Sequence, residues 1–137
     1  LTPAIIFHDY QHALAALRAS EATASHILLL TAAGAANYAG PDFLISIIKD
    51  AGDAVPDAKF EAVIDCGDDP GAVMTALRAG WALLLFVGDP EIAQKVESMA
   101  AQKNAQFLNR PEEVLDLLNR PDPDQAVLRW LQSRTKR

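Results

Sequence analysis

Residues 60–90 read FEAVIDCGDDPGAVMTALRAGWALLLFVGDP, and this stretch decides the fold. Phe60–Cys66 and Trp81–Val87 are short, nearly uninterrupted apolar runs, the pattern of strands covered on both faces of a parallel sheet. Between them, Asp68-Asp69-Pro70 supplies a helix start: a capping carboxylate, then a proline whose missing N–H costs nothing in the first turn. Val73 and Leu77 recur at helical spacing beside Ala72, Ala76 and Ala79, and Gly80 ends the helix. The result is one strand–helix–strand unit, and the flanking segments are looser copies of it.

Toward the N-terminus, Ala4–His8 (AIIFH) is a strand candidate. Asp9 then caps a helix with Tyr10, Ala13, Leu14 and Leu17 on one face. Ile27–Thr31 is a second strand, followed by the small-residue loop AAGAANYAG (32–40) and a helix begun by Gly40-Pro41, whose stripe is Leu44, Ile47, Ile48 and Ala51. Toward the C-terminus, Gly88-Asp89-Pro90 opens a helix with Ile92, Val96, Met99 and Ala100 inward. Ala105–Leu108 reads as an edge strand. Asn109-Arg110-Pro111 predicts a helix carrying Val114, Leu115 and Leu118, and Asp122-Pro123-Asp124 predicts a last one carrying Val127, Leu128 and Leu131. Five helices thus begin with proline: Pro41, Pro70, Pro90, Pro111 and Pro123.

This alternation predicts an α/β three-layer sandwich with a five-stranded parallel sheet in the flavodoxin-like order 2-1-3-4-5. Residues 1–121 form one doubly wound domain, and residues 122–137 add a C-terminal helix and a basic tail. The alternative is half of a (β/α)₈ barrel, closed by pairing with a second chain.

Composition narrows the partners. The chain has 137 residues, half of them hydrophobic and 22% charged, which suits one globular domain with its own core. A net charge of −6 argues against nucleic acid, because phosphate binding needs a basic face; only Arg134, Lys136 and Arg137 cluster as a basic tail. A single cysteine, Cys66, excludes an internal disulfide and fits a cytoplasmic setting. No apolar run approaches the roughly 20 residues of a membrane helix. Trp130, costly to expose, marks the last helix as a surface for the domain or for a second copy of the chain.

In a doubly wound sheet, ligands bind beyond the carboxyl ends of the strands where the strand order reverses, here between strands one and three. His8 and Asp9 lie on one side of that point, Asp65, Cys66 and Gly67 on the other, with Thr31, Asn37, Gly88 and Asp89 along the same rim. These nine residues are the candidate ligand site for a small molecule. Asp9, Asp65 and Asp68 are candidate oxygen ligands for Mg²⁺. The competing reading makes Asp9, Asp69 and Asp89 helix caps and Asp65 a turn-maker. Cys66 beside three aspartates reads as a buried hydrophobe, and His8 as a general base or hydrogen-bonding group.

The tail AQFLNRPEEVLDLL (105–118) resembles the final strand and helix of response-regulator receiver domains. The resemblance implies that Asp65 occupies the phosphorylated position and Asp9 part of the acidic pair. It departs from that family at Gly88, where a Ser or Thr is usual, at Arg110, where a lysine is usual, and in lacking a second acidic residue beside Asp9. The functional expectation is a small-molecule or phosphorylated-ligand binding domain using the edge of strands one and three. The alternatives are a degenerate receiver-like signalling module, or an oligomeric accessory protein without catalysis that associates through the final helix.

Overall fold

The computed structural model describes residues 2–135, so Lys136 and Arg137 of the basic tail lie outside the described residues. In chain order the elements are β1 (Ala4–Phe7), α1 (Tyr10–Thr23), β2 (Ile27–Thr31), α2 (Ala35–Tyr38), α3 (Pro41–Ala54), β3 (Phe60–Asp65), α4 (Pro70–Ala79), β4 (Leu83–Leu85), α5 (Pro90–Gln102), β5 (Gln106–Phe107), β6 (Val114–Asp116) and α6 (Pro123–Thr135). The chain is an α/β protein with a parallel sheet, as its alternating pattern predicts; the pairs β1–β6, β3–β4 and β4–β5 all run parallel.

Two features of the predicted sheet are corrected. It has six strands, not five, and its order is β5-β4-β3-β2-β1-β6, not 2-1-3-4-5. Both corrections have one cause. The segment after Pro111 is a strand rather than a helix, and it pairs with β1 in the register Ala4↔Val114, Ile5↔Leu115, Ile6↔Asp116. With β6 on one flank of β1 and β2 on the other, β3 falls beyond β2 and no reversal of order arises. Side-chain burial follows the strand: Leu115 and Leu117 are buried while Asp116 and Leu118 are exposed, an alternation of period two. The other four prolines do open helices, at α3, α4, α5 and α6.

Contacts divide the described residues into two compact units. The first holds residues 2–30, 47–61 and 111–135; the second holds 31–46 and 62–110. In the first, Ile5, Phe7, Leu17, Ile27, Leu29, Leu117, Val127 and Leu131 are almost wholly buried, and α6 packs against α1. The buried Ser20 hydroxyl donates to the Ser25 carbonyl at 2.6 Å, which satisfies it within that core. In the second, Val63, Ile64, Val73, Leu84 and Leu85 form the centre. Trp81 does not extend β4. Its backbone N–H closes α4 on the Ala76 carbonyl after Gly80 turns left-handed (φ 103°), and its indole N–H donates to the Pro41 carbonyl at 3.0 Å.

Candidate functional site

Strand three ends in Asp65, which is 1% exposed. A carboxylate so placed needs partners, and the second unit supplies them. Its Oδ1 accepts from the Gly67 N–H at 2.8 Å and the Gly34 N–H at 3.2 Å, and its Oδ2 accepts from the Arg110 guanidinium at 2.6 Å. Its own N–H donates to the Thr31 hydroxyl at 2.9 Å, tying the ends of β2 and β3 together. Gly34 and Gly67 both have positive φ, 66° and 59°, which is what lets their N–H groups turn toward one carboxylate oxygen. Arg110 is half exposed and spends one donor on Asp65. A guanidinium oriented by a buried carboxylate and open to solvent suits a phosphate or another carboxylate.

Cys66, next in the chain, is fully buried. Burial first, then the charges of Asp65 and Asp69, push its thiol up to about 12, so it stays protonated near neutral pH and is no nucleophile. That agrees with its reading as a small hydrophobe.

A second cluster stands in the first unit, at the carboxyl ends of the paired strands β1 and β6. His8 Nε2 lies 2.6 Å from Asp116 Oδ1, which also accepts from the Leu118 N–H at 2.9 Å. Desolvation pushes the Asp116 carboxyl up, but the Leu118 N–H and the His8 ring, with the charges of His8 and His12, outweigh it and hold it below the ordinary aspartate value. The His8 backbone N–H donates to His12 Nδ1 at 3.0 Å, and the two rings meet edge to face with centroids 5.6 Å apart. Asp9 caps α1 through the His12 N–H at 2.8 Å, and its other oxygen lies 3.9 Å from His12 Nε2.

Strands one and three are not neighbours, because β2 lies between them in the sheet order. Thr31, Asp65 and Gly67 join one network; His8 and Asp9 belong to another. Cys66 is sealed in the core, and Asn37 is exposed on the short helix α2. Gly88 is exposed, and Asp89 caps α5 through the Glu91 N–H at 2.8 Å, as Asp69 caps α4 through the Gly71 N–H at 2.8 Å. The proposed Mg²⁺ set fares no better. Asp9 caps a helix, Asp65 accepts from three protein donors, and Asp68 is exposed. Among the described residues, no group of three His, Cys, Asp or Glu is placed to hold a metal ion.

Arg110 and Asp116, the charged partners of Asp65 and His8, are the residues of these two clusters that the sequence reading does not single out. Arg110 stood only as a departure from a receiver motif, and Asp116 was hidden inside a supposed helix. The available signal was positional: each follows or ends a strand, as Asp65 and His8 do.

No family model matches the chain. It is 31% identical over 86 residues to a fructose-bisphosphate aldolase of Xanthobacter flavus, a match covering 63% of this chain and 24% of that enzyme. It also superposes, with a TM-score of 0.65 and 19% identity, on the crystal structure of a candidate fructose-1,6-bisphosphate aldolase from Coccidioides immitis, over 77% of this chain and 39% of that one. The chain thus spans about a quarter of the curated relative and two fifths of the solved structure. The structural likeness speaks to the fold. The likeness in sequence to an enzyme overturns the expectation of a ligand-binding domain without a defined chemistry, and with it the receiver-like module and the accessory protein. The receiver resemblance also fails on its own ground, because the helix it required after Pro111 is β6.

Proposed function

We propose that this chain serves aldol-type chemistry on a phosphorylated sugar, within a sheet of β/α-barrel kind. The 31% identity to fructose-bisphosphate aldolase carries the reading. Strand order supports it: each strand from β1 to β5 lies beside its predecessor in the chain, and the last strand lies beside the first. That is the order met in going round a barrel, where reacting groups sit at the carboxyl ends of the strands. Thr31, Asp65 and Asp116 end strands here, and His8 follows one directly.

Aldol cleavage leaves an electron pair on the carbon beside a ketone, and enzymes stabilise it with a lysine imine or a metal ion. The described residues fit neither group. Lys49, Lys59, Lys95 and Lys103 are all exposed rather than desolvated, and no three-ligand metal set is present among the described residues. The share of the chemistry assigned to these residues is therefore substrate binding and proton transfer. Arg110, oriented by Asp65, is the cation we assign to a substrate phosphate.

Thermal melting with added ligand tests this assignment. Fructose 1,6-bisphosphate at about 100 times its Kd should stabilise the chain by about 2.7 kcal/mol, whereas unphosphorylated fructose should not shift the melt. Arg110→Ala should remove the shift. An equal response to both sugars, or to neither, contradicts the assignment.

A further inference from the structure

We propose that the cleft lined by β6 and α6 binds a nucleoside monophosphate, its flat base against Trp130 and its phosphate on Arg120 and Arg129. The cleft has a volume of about 430 Å³, within the roughly 300–1,000 Å³ of small-molecule sites. Leu115 of β6 supplies apolar surface, Gln125, Arg129 and Trp130 come from α6, and Arg120 and Asp122 come from the turn between the two elements. All of these residues belong to the first compact unit. Neither Asp65 nor Arg110 takes part, and the binding is independent of the aldol reading.

The charges in the cleft call for an anion. Arg120 Nε donates to the Asp116 carbonyl at 3.4 Å, which leaves its terminal nitrogens unspent. Arg129 has neither an ion pair nor a hydrogen bond among the described residues. Asp122 lines the same cleft, but its Oδ1 accepts from the Gln125 N–H at 3.2 Å at the start of α6, and it pairs with neither arginine. A smaller cleft in the same unit shows the alternative arrangement, for there Arg18 meets Asp124 at 3.7 Å. In a chain of net charge −6, two guanidiniums without a carboxylate on one cleft offer forked donors that match phosphate oxygens.

Trp130 calls for a flat ring beside that anion. It is half-buried, and its indole N–H has no hydrogen-bond partner among the described residues. The Arg134 guanidinium, itself paired with Glu113, lies 5.2 Å from the centroid of the indole. A ring held in this way loses little freedom when a second flat group stacks on it. The Gln125 amide and the second oxygen of Asp122 add a donor and acceptors of the kind that ribose hydroxyls satisfy. Ring, sugar and phosphate therefore each meet a matching group, and the volume holds all three together.

The test follows the two indole N–H resonances of the ¹⁵N-labelled whole chain, assigned with Trp130→Phe. Trp81, whose indole N–H donates to the Pro41 carbonyl in the other unit, is the internal reference. Adenosine monophosphate, titrated to about 10 mM, should move the Trp130 resonance saturably and leave that of Trp81 in place. Adenosine and inorganic phosphate should each bind about tenfold or more weakly, because each keeps only part of the contacts. The double variant Arg120→Gln, Arg129→Gln should bind adenosine monophosphate about tenfold or more weakly with the Trp81 resonance unchanged, which shows the fold intact. An unmoved Trp130 resonance overturns the proposal, as does equal binding of adenosine and its monophosphate, or undiminished binding by the double variant. Fructose 1,6-bisphosphate moving Trp130 as strongly as adenosine monophosphate does would make the cleft a general phosphate site and overturn the nucleotide assignment.

Discussion

Asp65 and Asp116 are built alike and used differently. Each ends a parallel strand, and each accepts from the N–H two residues on, Gly67 at 2.8 Å in one case and Leu118 at 2.9 Å in the other. The same turn therefore holds both carboxylates. Burial separates them: Asp65 is 1% exposed, whereas the Asp116 side chain is 49% exposed. A buried carboxylate requires a full set of donors, and Asp65 has a guanidinium that never loses its proton. The exposed one needs no such full set, and Asp116 has the His8 imidazole. The lesson is that one local motif yields a fixed charge or an exchangeable proton according to the partner that the neighbouring elements deliver.

The contrast depends first on β6 being a strand, because only that pairing brings Asp116 to His8. Leu117, wholly buried just beyond β6, should cost about 3–4 kcal/mol when truncated to alanine. Leu118→Ala should stay within about 0.5 kcal/mol, because Leu118 is 54% exposed. Urea unfolding of the two variants reads this directly. A helix carrying Val114, Leu115 and Leu118 would instead make Leu118 the costly position.

Next in size is the fixed charge. Asp65→Ala leaves two backbone N–H groups and a guanidinium without their acceptor, and should destabilise by about 2–3 kcal/mol. The cost sits at the lower end for a broken buried pair because Arg110 is half exposed and can be rehydrated. A melting curve within a degree or two of wild type would show that the network holds nothing in place.

The exchangeable pair should give the smallest effect. Because the Asp116 carboxyl is depressed when folded, its contribution to stability is fully present above the unfolded aspartate value of about 3.9 and is lost as the pH falls through the lower folded value. Half exposure and screening keep it small, well under about 1 kcal/mol. Asp116→Asn should therefore leave stability at pH 7 nearly unchanged and slightly flatten its decline toward pH 3, as followed by urea midpoints. A large loss at pH 7 would give Asp116 the structural weight assigned here to Asp65.

Sequence alone revealed the first five strands and most helices, because local signals carry them. Asp69-Pro70 and Asp89-Pro90 cap and start helices with side chains that bond within three residues. It failed at Asn109-Arg110-Pro111, which has the look of another proline start. What makes 114–116 a strand is backbone pairing with residues 4–6, more than a hundred positions earlier, and no local propensity records that partner. The site was half legible for the same reason. Asp65 and His8 announce themselves as polar ends of apolar runs, but Arg110 and Asp116 reach them only through the tertiary fold.

The claim that this chain serves aldol chemistry is tested most directly by incubating it with fructose 1,6-bisphosphate, with and without millimolar divalent salts, and measuring triose phosphate over time. Release should exceed that of the salts alone and should fall by about tenfold or more in Arg110→Ala, the loss expected when a charge-assisted phosphate contact worth about 1.5–3 kcal/mol is removed. Release no greater than the protein-free control under every condition would contradict the account.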